Sequence, residues 1–251
     1  MDQLRLVWSE AFKVRAYELD AWGHASALTL CNWMQEVAGN HATHLGWGIE
    51  DLHARGLTWL LSRLHLRVHR LPPWREEVEV TTWPAGTHRL WAVREFRLTG
   101  VGGDPIGVAT SGWMVVNRSS RRPVRPAAEL AEVAQRTPAR AIEDDFDRLP
   151  AVERAARART LEVRASDLDI NRHANNVSVV SLTLEALPLE HLEGHQLAEF
   201  EIEFRGETRT ADRLLSEVEA GDATTFIHRL AREGDGREVA AARSRWRAAG
   251  S

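Results

Sequence analysis

The sequence contains very little cysteine and no long apolar run. Cys31 is the single cysteine among 251 residues, which excludes an internal disulfide and a structural zinc site built on cysteines. No apolar stretch approaches the roughly 20 residues that a membrane-spanning helix requires. The first residues also lack the basic start and apolar middle of a signal peptide. We therefore expect a cytoplasmic protein without a membrane span.

Lysine is almost missing as well. Lys13 is the one lysine, so nearly all of the 32 basic residues are arginines, against 36 acidic residues and a net charge of −4. This balance argues against a nucleic-acid-binding protein, which usually gathers a basic excess on one face. A GC-rich genome explains an arginine excess of this kind, but the planar guanidinium also suits phosphates and carboxylates. An anionic partner therefore remains open.

One short motif occurs twice in the chain. The stretches "ELDAWGHASA" and "DLDINRHANN" both contain Leu-Asp, three further residues and His-Ala, so that Asp20 and His24 match Asp169 and His173. Each copy is followed by apolar residues at helical spacing, which predicts helices near 27–45 and 176–187. Ser26 or a neighbour caps the first helix in this interpretation, and Asn175 or Asn176 caps the second.

Strands follow each predicted helix. The alternation in "RLHLRVH" and "FEIEF" is typical of strands with one buried face, and it predicts that His65 and His69 face solvent. Three further strand-like stretches follow in each half. The charged, proline-containing segment between the halves predicts a surface linker with a short helix near Ala127–Gln135.

This element order predicts an α+β protein of the double hotdog class, in which each of two tandem units wraps an antiparallel sheet around one long central helix. Both predicted helices are apolar around much of their circumference, as burial inside a sheet requires. We assign the N-terminal unit to residues 1–117, the linker to 118–150 and the C-terminal unit to 151–251. A hotdog site lies at the start of a central helix, so the chain needs a working site in one copy alone.

At the level of motifs, the sequence resembles the acyl-acyl-carrier-protein thioesterases, a family of double-hotdog enzymes. The family has an Asp-x-Asn-x-His-x-Asn-Asn loop, and about 30 residues later an aromatic-Arg-x-Glu stretch. "DINRHANN" and "FRGET" supply both, and the first half is similar in "LHLRVHRLPPWREEVEVTTW" and "GVATSGWMVVNRSSRRPVR". The likeness covers most of the chain apart from the linker and the last few residues. It departs at Thr208 and Ser178, where many members have cysteine and tyrosine, and this leaves the effect of both positions open.

The resemblance implies thioester hydrolysis by water in the second copy. It identifies a catalytic set made of Asp169, Asn171, His173 and Glu207. Glu207 or His173 is the general base, with Glu207 ranked slightly ahead. N–H groups of the loop entering the second helix suit the developing oxyanion, and they belong to Ala174, Asn175 and Asn176.

The first copy has lost the polar set and serves the fold and the acyl pocket. Trp22 and Ser26 stand where the second copy has two asparagines, and Leu71 or Pro72 stands in the place of Glu207. On its helix we expect an acyl-binding group made of Trp33, Met34 and Val37.

We expect no cofactor and no metal, because the pair His41 and His44 lacks a third ligand. The expected partner is an acyl carrier protein (ACP) bearing the acyl thioester, and the protein is a pseudo-dimeric monomer or a homodimer. Two alternatives remain, an acyl-coenzyme A thioesterase of the same fold and a non-catalytic acyl-binding hotdog protein. An arginine-rich stretch suits docking of an acidic carrier, although a solvated linker is the simpler explanation, and it contains Arg118, Arg121, Arg122 and Arg125.

Overall fold

The computed structural model describes residues 5–128, 132 and 136–249. The chain forms two compact units, residues 1–146 and 147–251. Most of the predicted linker helix, near Ala127–Gln135, lies outside the described residues.

The N-terminal unit is an antiparallel sheet with one long helix. Its strands lie in the order β1-β3-β4-β5-β2, with the short β6 paired to β5. The elements in chain order are β1 (Trp8–Lys13), α1 (Ala27–His44), α2 (Ile49–Ala54), β2 (Leu57–Val68), β3 (Glu77–His88), β4 (Trp91–Thr99), β5 (Pro105–Asn117) and β6 (Pro123–Val124).

The first predicted helix is confirmed as α1. Ser26 caps it, since its side chain accepts a hydrogen bond from the N–H of Thr29 at 3.1 Å. The apolar stripe of α1 is buried and packs on β1 and β3. Beyond its end, Gly46 has a φ of 75°, a left-handed conformation that glycine adopts without strain.

The C-terminal unit repeats this architecture. Its strands lie in the order β7-β9-β10-β11-β8, which matches the N-terminal order strand for strand. The elements are β7 (Arg157–Glu162), α3 (Asn176–Leu184), α4 (Leu189–Gly194), β8 (His195–Phe204), β9 (Arg213–Ala220), β10 (Thr225–Arg232) and β11 (Glu238–Ala248). The α+β hotdog class is thereby confirmed for both units.

The second central helix is shorter than predicted. It ends at Leu184 rather than near residue 187, and its nine residues are half the length of α1. The cause is Pro188, whose ring in a continued helix would meet the carbonyl group of Leu184. The chain turns instead, with the N–H of Leu187 bonded to the carbonyl of Leu184 at 3.0 Å, and resumes as α4.

The prediction of a surface linker is wrong for its second half. Ile142 and Phe146 are 1% and 4% exposed within the N-terminal unit. The N–H groups of Ala141 and Ile142 donate to the fully buried carboxylate of Glu95, which also forms an ion pair with Arg140 at 3.1 Å. This segment therefore covers part of the N-terminal sheet.

His65 is also placed differently from the prediction. It is 5% exposed, and its Nδ1 lies 2.7 Å from Oδ2 of Asp144 in the covering segment, whereas His69 is exposed as expected. Among the described residues, we find no helix that is long and apolar enough to cross a membrane.

Candidate active site

The loop before α3 is organised by the carboxylate of Asp169. Its Oδ1 accepts the N–H groups of Asn171 at 2.8 Å and His173 at 3.2 Å. The N–H of Asp169 in turn donates to the carbonyl of His173 at 2.8 Å. Arg172 closes the turn with a φ of 61°. A carboxylate that accepts two backbone donors at once holds a tight loop in one conformation.

Glu207 reaches this loop from a distant part of the C-terminal unit. It lies in the irregular connection between β8 and β9. The N–H of Ala174 donates to the carbonyl of Thr208 at 2.9 Å, which fastens this connection to the histidine loop. As a result, Oε2 of Glu207 lies 3.3 Å from Nε2 of His173. The glutamate and histidine side chains are 33% and 21% exposed, so both groups are partly shielded and still reachable by water.

The start of α3 is capped, and the N–H groups of the two residues before the helix are already occupied. The Asn175 side chain accepts the N–H of Val177 at 2.9 Å, which is the N-cap contact expected of asparagine. The N–H of Asn175 donates to the carbonyl of Asp167 at 2.8 Å. Since the N–H of Ala174 is also committed, the predicted oxyanion donors Ala174 and Asn175 are not available in this structure. The cause is backbone pairing: Ala174 is bonded to Thr208 in the β8–β9 connection, and Asn175 is bonded to Asp167 at the start of the loop.

Asn171 belongs to the same loop, two residues before His173. It is exposed, and its Nδ2 donates to Oδ2 of Asp169 at 3.3 Å. The structure therefore places all four members of the predicted catalytic set in one region of the C-terminal unit.

Asp167 is a residue of this region that the motif comparison did not assign. It is 6% exposed, and Oδ1 forms an ion pair with Arg164 at 2.9 Å. The hydrogen bond from the Arg164 guanidinium holds the pKa of this carboxyl below its usual value. The carbonyl of Asp167 also accepts the N–H of Asn175. Its role is to hold the loop, and its signal in the sequence was the first aspartate of "DLDINRHANN".

The first copy has the same backbone and different side chains. Asp20 Oδ1 accepts the N–H groups of Trp22 at 2.9 Å and His24 at 3.1 Å, as Asp169 does in the second copy. The N–H of Ala25 donates to the carbonyl of Pro72, so Pro72 matches Thr208 and Leu71 matches Glu207. Leu71 is a buried hydrocarbon side chain and cannot accept a proton. Because the aspartate forms the same bonds in both copies, we interpret it as a loop-forming residue.

The predicted acyl-binding residues lie in the core of the N-terminal unit. Trp33, Met34 and Val37 are at most 4% exposed. The indole of Trp33 stacks on Phe12 with a centroid distance of 5.3 Å, and its Nε1 donates to Oε1 of Glu18 at 3.1 Å.

The histidine pair of α1 is not free to hold a metal. Nε2 of His41 lies 2.8 Å from the carbonyl oxygen of Arg5, and its Nδ1 lies 3.0 Å from Nη1 of Arg94. Both ring nitrogens are therefore engaged, and a neighbouring guanidinium opposes a further cation. Burial, followed by the charge of Arg94, lowers the pKa of His41 to about 4.

Comparison with known proteins agrees with this fold. The family model for the acyl-ACP thioesterase N-terminal domain matches residues 5–133, and the model for the C-terminal domain matches residues 151–248. An oleoyl-ACP thioesterase of Arabidopsis thaliana, described as chloroplastic, is 29% identical over 98% of this chain and 80% of its own length.

Two solved structures extend the similarity to three dimensions. An acyl-ACP thioesterase from Bacteroides thetaiotaomicron is 25% identical, with a TM-score of 0.87 over 98% of this chain and 100% of that one. The 12:0-ACP thioesterase from Umbellularia californica is 28% identical, with a TM-score of 0.87 over 97% and 98% of the two chains. Two domain models that together match most of the chain, a double hotdog fold and a histidine–glutamate dyad in the second unit lead to one conclusion: the chain belongs to the acyl-ACP thioesterase family of thioester hydrolases.

Proposed function

We propose that His173 and Glu207 carry out hydrolysis of an acyl-ACP thioester in the C-terminal unit. The supporting observation is the 3.3 Å contact between Nε2 of His173 and Oε2 of Glu207, at the start of the central helix. The matching positions of the N-terminal unit, His24 and Leu71, lack the carboxylate, so we assign the reaction to one unit.

Glu207 acts as the general base in this proposal. Its carboxylate takes a proton from a water molecule as the water oxygen adds to the thioester carbon. The tetrahedral intermediate then collapses, the carbon–sulfur bond breaks, and the proton passes from Glu207 to the leaving sulfur. The products are a free fatty acid and the thiol of the carrier. Positioned proton transfer of this kind contributes about 10²–10⁴-fold to a rate.

His173 and Asn171 orient the reacting groups. The imidazole beside Glu207 holds the attacking water in this proposal. The amide of Asn171, two residues before His173, has a hydrogen beyond the one given to Asp169. Since the N–H groups of Ala174 and Asn175 are occupied, the oxyanion relies on the Asn171 amide and on the positive end of the α3 dipole. Asp169 contributes by holding the loop in place.

The acyl chain binds against α1 in this proposal, with Trp33, Met34 and Val37 forming part of the pocket. We take ACP as the carrier because the relatives described above are ACP thioesterases by name. Exposed arginines that suit an acidic carrier are Arg118, Arg121, Arg122 and Arg125. An acyl-coenzyme A thioesterase is the alternative. We keep a cytoplasmic location and a monomer or homodimer as further proposals.

Release of free thiol from acyl-ACP and acyl-coenzyme A substrates of matched chain length tests the proposal. We expect faster turnover with acyl-ACP, and a loss of about 10²–10⁴-fold in kcat for Glu207→Gln. Glu203→Gln, near the end of β8, serves as a control for the removal of one carboxylate. Full activity of Glu207→Gln would refute the assignment of the base, and a preference for acyl-coenzyme A would refute the carrier.

A further inference from the structure

Arg232, the last residue of β10, contacts the main chain of Glu207. Its Nη2 donates to the carbonyl oxygen of Glu207 at 2.5 Å, and its Nε lies 3.6 Å from Oδ2 of Asp212. The side chain is 32% exposed. A guanidinium that donates to a backbone carbonyl makes a charge-assisted hydrogen bond, which is stronger than a neutral one.

The residue it holds lies in irregular backbone. The connection between β8 and β9 is fastened before Glu207 by the N–H groups of Arg205 and Gly206, which both donate to the carbonyl of Val239. After Glu207 it is fastened by the carbonyl of Thr208, which accepts the N–H of Ala174. Between these points, the Arg232 guanidinium holds the Glu207 peptide itself.

The N-terminal unit also has a guanidinium in the corresponding region, although Leu71 stands there in place of Glu207. By strand register, Gly100 stands at the position of Arg232, and by backbone hydrogen bonding Arg70 stands at the position of Gly206. The Arg70 guanidinium pairs with Glu76, the counterpart of Asp212, at 2.5 Å. Nη2 of Arg70 lies 2.6 Å from where a Cβ of Gly100 would stand.

In each unit a guanidinium therefore lies beside the acidic residue at the matching position, Glu76 or Asp212. In the N-terminal unit the arginine stands at the position that matches Gly206, and in the C-terminal unit it stands at the position that matches Gly100. In the N-terminal unit the hydrogen bonds of Arg70 go to the side chains of Glu76 and Asp104. In the C-terminal unit the guanidinium comes from β10 and donates to the peptide of Glu207. The guanidinium that donates to a main-chain carbonyl of the loop is therefore found in the unit that carries the dyad.

We propose that Arg232 is a positioning residue of the thioesterase, which fixes the Glu207 peptide so that the carboxylate stays against His173. This inference rests on the proposed role of Glu207 as the base. Without the guanidinium, the Glu207 peptide loses its side-chain anchor and the carboxylate samples positions farther from His173. A displacement of about 1 Å in a reacting group can cost about 100-fold in rate.

The variants Arg232→Gln and Arg232→Lys test the proposal, with Arg70→Gln as the matched control in the N-terminal unit. For Arg232→Gln we expect kcat to fall by about 10–100-fold while KM for acyl-ACP changes by less than about threefold. Arg232→Lys keeps a donor and should recover part of kcat. Arg70→Gln should lower the unfolding temperature at least as much and leave kcat within about twofold of the wild type.

A double-mutant cycle separates positioning from a general loss of stability. If Arg232 acts through Glu207, adding Arg232→Gln to Glu207→Gln should lower kcat no further. Fully additive losses, an unchanged kcat in Arg232→Gln and Arg232→Lys, or an equal loss of kcat in Arg70→Gln would each overturn the inference. An active Glu207→Gln variant would overturn the proposed base and the inference with it. The results for the Arg232 variants overturn the inference without overturning the base, so the two failures are distinguishable.

Discussion

Acidification from pH 7 to pH 5 is expected to destabilise the N-terminal unit through His41. This residue is fully buried on α1, where its Nδ1 faces the guanidinium of Arg94 and its Nε2 meets the carbonyl of Arg5. A neutral ring satisfies both contacts by accepting from the arginine and donating to the carbonyl. Protonation at Nδ1 would remove the acceptor and place two cations 3.0 Å apart.

The size of the effect follows from the pKa of His41. Burial and Arg94 lower that pKa from 6.5 to about 4. Between these values the unfolded chain binds a proton that the folded protein does not, so stability falls as the pH decreases through this window. At pH 5 the resulting loss in the free energy of unfolding is about 2 kcal/mol relative to pH 7.

Urea unfolding of the wild type and of His41→Gln at pH 7 and pH 5 measures this loss. The glutamine retains a donor for the Arg5 carbonyl and does not titrate, so its loss on acidification should be smaller by about 2 kcal/mol. His228, whose pKa burial lowers to about 3, adds the same loss on acidification to both proteins, so its contribution cancels in the comparison. An identical loss in both proteins would refute the reasoning.

Three further outcomes are expected. His173→Ala should lower kcat by about 10²–10⁴-fold, whereas His24→Ala at the matching position should affect stability alone; equal losses of kcat would indicate two working sites. Thr208 is 1% exposed, and its hydroxyl has no hydrogen-bond partner in the described part of the chain. Thr208→Val should therefore raise the free energy of unfolding by about 1 kcal/mol and leave kcat nearly unchanged, while a tenfold loss of kcat would assign the hydroxyl to the reaction. Trp33→Ala, in a protein that remains folded by circular dichroism, should shift the preferred acyl length in an acyl-ACP panel, and an unchanged profile would place the pocket elsewhere.

The relation between the two copies was predictable from the sequence because its signals are local. The spacing of Asp20 and His24 equals that of Asp169 and His173, and in both loops the aspartate bonds to N–H groups two and four residues later. The Ser26 cap and the apolar stripe of α1 likewise depend on residues that are close together in the sequence. A motif of this kind fixes its own conformation wherever the surrounding fold permits it.

The tertiary structure decided which groups meet and which donors remain free. His173 and Glu207 are 34 residues apart in the chain, and the 3.3 Å contact between them depends on how the β8–β9 connection pairs with the helix-leading loop. The same pairing occupies the N–H of Ala174, which the motif alone had offered to the substrate.

The covering of the N-terminal sheet by part of the linker likewise could not be predicted from the sequence. Residues of the charged linker pack on the buried carboxylate of Glu95, although charge and proline content favoured a solvated segment. A carboxylate on a strand is buried where distant donors satisfy it and exposed where they do not. Local hydrogen bonds are determined by a few neighbouring residues. The partner of a buried polar group is determined by segments that come together only in the folded chain.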